Sequence, residues 1–142
     1  MQYQRRVVIT GVGALTPVGL SAQETWESLT KGKSGIAPIT AFDVSLFKTK
    51  FGGEIKGFDP ECIIERKEAR KMDRYSQISI CAVDEAIRDS HLEISQENSY
   101  RIGVIWGSGM GGLQTTEQEC FEYAKGDGTP HFNPFMIPKA IP

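Results

Sequence analysis

Three cysteines, Cys62, Cys81 and Cys120, and two histidines, His91 and His131, are the side chains of this chain best suited to nucleophilic or general-base work. A catalytic thiol needs something that favours the thiolate: a histidine or other cation beside it, or a helix N-terminus. Cys81 and Cys120 fall in apolar, helix-periodic stretches and read as small buried hydrophobes. Cys62 follows Asp59-Pro60, a cap and first-position pair, so it sits near a helix start with no histidine next to it in sequence. His91 reads as ending a helix, where partial positive charge is favourable, and His131 as lying in a loop. An odd cysteine count without framework spacing, and no secretory leader pattern, favour a reducing cytoplasm.

A second kind of chemistry is suggested by Gly107-Ser108-Gly109-Met110-Gly111-Gly112, which satisfies G-x-G-x-x-G between an expected strand and an expected helix. Such glycines let a backbone approach a pyrophosphate. A dinucleotide site also needs a second strand ending in an acidic residue about 20 residues on. Here Gly126-Asp127-Gly128-Thr129-Pro130 and a proline-rich stretch follow instead, and no P-loop lysine is present. The other reading is a tight turn and close packing of layers, with Gly107, Gly109, Gly111 and Gly112 as structural glycines. A third cluster, Lys67, Arg70 and Lys71, is interleaved with Glu65, Glu68 and Asp73. By charge alone it reads as a solvated face with local ion pairs.

The elements that must hold these residues follow from periodicity. Residues 6–10 and 101–106 are short, nearly continuous apolar runs rich in β-branched side chains, as strands buried on both faces would be. Ser21 and Glu24 form a capping-box signal for a helix carrying Trp26 and Leu29, with Gly32 placed to stop it. Residues 36–39 and 51–58 read as loop with short strands. Asp73 is placed to cap a long helix whose centre, residues 78–83, is apolar nearly all round. Residues 113–125 read as a further helix, with Leu113, Cys120, Phe121 and Ala124 on one face and Gly126 as its stop. The tail from Pro130 carries four prolines and five large apolar residues and looks like a segment leading into something else. Strand–helix alternation predicts an α/β sheet with helices on both faces.

With 142 residues the chain is long enough for one domain with a core. Its formal charge of −2 gives no footprint for nucleic acid as the main partner. No apolar run reaches the length of a membrane span.

The order of four motifs resembles one family. Arg5-Arg6-Val7-Val8-Ile9-Thr10-Gly11-Val12-Gly13 with Thr16-Pro17-Val18-Gly19, then Arg70-Lys71-Met72-Asp73-Arg74, then Ile102-Gly103-Val104 with the glycine cluster, and finally Pro134-Phe135-Met136-Ile137-Pro138 are similar to the β-ketoacyl-[acyl-carrier-protein] synthases. The nearest subtype is the type II elongating synthase. The resemblance implies a thiolase-like α/β fold in an αβαβα architecture, with residues 1–142 as an incomplete N-terminal half of a single synthase domain and no second domain. It implies an acyltransferase of fatty-acid synthesis that joins an acyl thioester to malonyl-carrier protein by decarboxylating Claisen condensation. No metal or nucleotide cofactor is required. The partners it implies are acyl-carrier protein and a second copy in a homodimer.

Residue by residue, the resemblance places Met110 at the bottom of the acyl pocket, and Phe135 and Met136 in the segment lining that pocket across the dimer interface. It places Lys67, Arg70 and Lys71 in the carrier-protein docking patch. The family's nucleophile lies in a Thr-Ala-Cys-type motif, which none of the three cysteines matches, and neither histidine sits in the family's histidine motifs. No catalytic residue is therefore expected within this chain, and the 142 residues alone are expected to be inactive. The alternative is a stand-alone, non-catalytic module that binds acyl-carrier protein or a partner subunit.

Overall fold

A computed structural model describes residues 5–96 and 98–141. The chain forms two compact units, Met1–Phe58 with Ala82–Glu93, and Asp59–Cys81 with Ile94–Pro142. In order, the helices are α1 (Ala22–Thr30), α2 (Arg66–Ala69), α3 (Arg74–Ser90), α4 (Leu113–Lys125) and α5 (Met136–Ala140), and the strands are β1 (Ile36–Pro38) and β2 (Phe51–Gly53). Single 3-10 turns occur at Pro60–Cys62 and Ser99–Arg101.

In the first unit, α1 begins and ends as its sequence dictates. The Ser21 hydroxyl oxygen accepts the Glu24 amide at 3.1 Å. The Glu24 carboxylate reaches back to the amide of Leu20 at 2.8 Å, one residue before the cap. At the other end Gly32 has φ +67°, and the amides of Gly32 and Lys33 bond the carbonyls of Leu29 and Ser28. This pair satisfies carbonyls that the helix leaves open. The strands β1 and β2 pair antiparallel, with Ile36 opposite Gly53 and Pro38 opposite Phe51.

Residues 11–14 lie against the C-terminal part of α3. A Cβ at Gly13 would stand 1.9 Å from the Ala82 carbonyl oxygen, and one at Gly11 would stand 2.3 Å from that of Ala86. Only glycine permits this approach. The amides exposed there bond to carboxylates of the same helix: Val12 to Asp89 at 2.8 Å and Ala14 to Glu85 at 2.8 Å. The other oxygen of Glu85 accepts the Ala22 amide, the first of α1, at 2.9 Å. One carboxylate thus satisfies two otherwise open donors, one at a helix start. At the end of α3, His91 adopts φ +54°, with the amides of His91 and Leu92 bonding the carbonyls of Arg88 and Ile87. His91 does end a helix.

The expected strands over residues 6–10 and 101–106 are not formed. Residues 6–10 and 102–106 are irregular, and most of their apolar side chains are exposed, Val7 by 94% and Ile105 by 98%. The mixed sheet with helices on both faces is accordingly incomplete: the ladder among the described residues is two-stranded. The physical reason is that β-branched composition only suits a residue to a strand. The strand itself needs a neighbour to take its N–H and C=O groups. Among the described residues the buried apolar ones are few: Ile64, Ala69, Cys81 and Ala82. The face of α4 read as apolar is exposed at Leu113, Cys120 and Phe121, so Cys120 is not the buried hydrophobe expected, whereas Cys81 is. The proline-rich tail contains a helix the sequence did not announce. Pro138 is tolerated there because it sits in the first turn of α5, where an amide has no intrahelical partner to lose.

Candidate docking and acyl-pocket site

All residues of the two candidate clusters lie in the second unit. Its docking segment is α2 and the turn after it. Ala69 of α2 and Ile64 before it are buried and anchor the segment, leaving the charged side chains outward. Lys71 is partly neutralised by Glu68, with Nζ to Oε1 at 2.5 Å. Arg66 contacts Glu61 at 3.4 Å. Among the described residues Lys67 and Arg70 have no ion pair, and both are exposed. The patch therefore presents two cations without local partners and a third that is shared. The Gln77 side-chain amide of α3 donates through Nε2 to the Ala69 carbonyl at 2.8 Å and fixes the end of α2.

The glycine cluster precedes α4 without forming an anion cradle. The Gly111 amide is bonded to the Ser108 hydroxyl oxygen at 3.0 Å, and the Gly112 amide to the Ala140 carbonyl at 3.1 Å. Two of the amides a phosphate would need are thus already used within the chain. A Cβ at Gly112 would lie 2.1 Å from the Lys139 carbonyl oxygen and 2.9 Å from a carboxylate oxygen of Asp73. Gly107 and Gly109 meet nothing within 4 Å. Met110, two residues before this close approach, is 70% exposed. Phe135 and Met136 open α5, where the Asn133 side chain accepts the Phe135 amide at 2.8 Å and the Asn133 carbonyl accepts the Met136 amide at 2.8 Å. The contact of Gly112 with Lys139 and Ala140 holds the segments carrying Met110 and Phe135-Met136 side by side.

One cleft of this unit, about 540 Å³, is open and mostly polar. Asp73, Gln77, Gln118 and Lys139 are among its lining residues, and none of Met110, Phe135 or Met136 is. Sequence reading missed the group that builds one wall of it. Asp73 does lie at the start of α3, and its carbonyl accepts the Gln77 amide at 3.1 Å. Its carboxylate, however, also accepts the Thr115 hydroxyl from the first turn of α4. The Tyr75 hydroxyl donates to the Ile141 carbonyl just beyond α5. The one available signal was Gly112, a glycine directly before a helix whose position carries no side-chain cap.

Cys62 and the two histidines form no nucleophile–base pair among the described residues. The Cys62 thiol donates to the Asp59 carbonyl at 3.0 Å, at a helix of only one turn. His91 bonds the Arg88 carbonyl through Nδ1 at 2.9 Å, and His131 lies in an exposed loop. Among the described residues no group of three or more His, Cys, Asp or Glu is placed to hold a metal ion. No helix there is long and apolar enough to cross a membrane.

The sequence model of the beta-ketoacyl synthase N-terminal domain matches residues 4–141, so the chain belongs to the β-ketoacyl synthase family. It is similar to 3-oxoacyl-[acyl-carrier-protein] synthase 2 of a Synechocystis species, 45% identical over 139 residues that make up 97% of this chain and 33% of the relative. The enzyme of the same name from Staphylococcus aureus is 42% identical over 142 residues, all of this chain and 34% of the relative. The chain thus spans about a third of the length of these curated relatives. Among solved structures, a type II PKS acyl-carrier protein in complex with its ketosynthase bound to the hexaketide matches with a TM-score of 0.74. The identity is 24%, over 98% of this chain and 36% of that one. The fold is accordingly the N-terminal part of the thiolase-like α/β ketosynthase fold, here without its completed sheet.

Proposed function

We propose that this chain supplies the carrier-docking and acyl-pocket portion of a 3-oxoacyl-[acyl-carrier-protein] synthase of fatty-acid elongation. The observation that carries the reading is the family match over residues 4–141, joined to 42–45% identity with relatives of that name. In the proposed reaction an acyl group is held as a thioester on a cysteine. Malonyl-carrier protein loses carbon dioxide, and the carbanion left behind attacks the thioester carbonyl, forming the new carbon–carbon bond and expelling the thiolate. The nucleophile and its histidines belong, in this reading, to polypeptide other than residues 1–142.

The described residues support two parts of that task. Lys67 and Arg70, exposed and without local ion pairs, with Lys71 beside them, suit an acidic carrier protein. Their charge steers the encounter and fixes its orientation. A ketosynthase of similar fold is known in complex with its acyl-carrier protein, which favours the same kind of partner here. Met110, Phe135 and Met136 supply large apolar surface on adjoining segments, as the walls of an acyl pocket require. A homodimer and a cytoplasmic setting belong to the same proposal. The exposed apolar residues 7–9 and 104–106 are, in it, sheet strands awaiting their neighbours.

The test is carrier-protein binding, measured by titration calorimetry. Lys67→Glu with Arg70→Glu is expected to weaken binding about tenfold and to flatten its salt dependence. Affinity equal to that of the unaltered chain would remove the docking assignment.

A further inference from the structure

The first turn of α3 holds three neighbours at once. Gln77 bonds the end of α2, the segment carrying Lys67, Arg70 and Lys71. Asp73 bonds Thr115 at the start of α4, directly after the Met110 loop. Tyr75 bonds the Ile141 carbonyl at the end of the segment that Phe135 and Met136 open. The last two partners are themselves joined, because Gly112 donates to Ala140 at 3.1 Å and leaves no room for a side chain between Lys139 and Asp73. The bonds of Asp73, Tyr75 and Gly112 join groups far apart in sequence, and none of the four is needed to form a helix.

From this arrangement we infer that Asp73 and Tyr75 are positioning residues that set the docking patch in register with the acyl-pocket segments. A carrier protein seated on Lys67 and Arg70 delivers its acyl chain at a fixed distance from its own surface. The pocket walls must therefore keep a fixed place relative to the patch, and a misplacement of about 1 Å is enough to matter. Asp73 and Tyr75 hold both walls to the helix that also holds the patch. Neither belongs to the patch or to the pocket segments themselves; each acts through the segment that it holds. This rests on the docking and pocket reading above, and it makes α3 the part of the site that distinguishes a loaded carrier from an unloaded one.

The experiment compares, for the 142-residue chain, the affinity for octanoyl-loaded carrier protein with that for unloaded carrier protein. The unaltered chain is expected to favour the loaded form. Tyr75→Phe combined with Thr115→Val removes both bonds with little change in volume. It is expected to lower the loaded-to-unloaded affinity ratio about threefold to tenfold while leaving the unloaded affinity unchanged. Thr115→Ser, which keeps the hydroxyl, restores most of the ratio. A ratio unchanged in the double variant overturns the inference, as does an equal loss of both affinities or a ratio of one in the unaltered chain. Failure of the docking reading shows differently, as unloaded affinity indifferent to Lys67→Glu and Arg70→Glu.

Discussion

At Gly112 a single missing methyl group decides whether three segments fit together. Its Cβ position lies 2.1 Å from a backbone oxygen of Lys139, which cannot swing aside as a side-chain tip would. Gly112→Ala is therefore expected to cost about 1–3 kcal/mol, as overpacking does. Gly109→Ala, with nothing within 4 Å, is expected to change stability by less than about 0.5 kcal/mol. Urea denaturation followed by circular dichroism checks both. In sequence these two glycines were indistinguishable members of one motif. What separates them is a carbonyl 27 residues further along the chain, which no local pattern announces. The same holds for Asp73. Its place at a helix start was legible from its type, but its bond to Thr115 was not, because threonine in a first helical turn carries no signal of a distant partner.

Among the elements, those controlled by their own ends were the legible ones. α1 was expected from Ser21, Glu24 and Gly32, and α4 from residue 113 to its stop at Gly126; both are found so. Caps and periodicity are local chemistry, which a single sequence displays. The segments 6–10 and 101–106 were misjudged for the opposite reason: strand formation depends on neighbours. A loop beside β2 gives the element-scale prediction. The Glu54 carboxylate accepts the Thr40 and Ala41 amides, each at 2.9 Å, and the Thr40 hydroxyl at 2.8 Å. Those bonds, led by the Thr40 amide, hold its pKa below the ordinary 4.5. A carboxylate lowered in the folded state stabilises the clasp above its unfolded pKa, and the stabilisation is lost as pH falls through the folded value. Amide exchange at Thr40 and Ala41 is thus expected to quicken once the pH drops well below 4.5, beyond the intrinsic pH trend. Glu54→Gln should show fast exchange already at neutral pH.

Across the whole molecule, the disproportion between apolar content and burial is the main physical fact. Val7, Ile9, Val104 and Ile105 are among many large apolar side chains left in water. A chain of this length ordinarily buries far more of its unfolded surface, and apolar patches of this kind mark surfaces that pair with other protein. The 142-residue chain is therefore expected to bind a hydrophobic dye such as ANS strongly and to self-associate with rising concentration in sedimentation. A dye-negative monomer would argue for a finished module instead. The relatives, three times longer, offer the proposed source of cover: the rest of a thiolase-like domain.

The central claim is that docking and chain-holding reside in these residues while bond-making resides elsewhere. Release of labelled carbon dioxide from malonyl-carrier protein, with an acyl-carrier protein present and residues 1–142 as the only enzyme, tests it most directly. The expected result is no release above buffer, against prompt release by a full-length 3-oxoacyl synthase under the same conditions. Sustained release by the 142 residues alone would contradict the account.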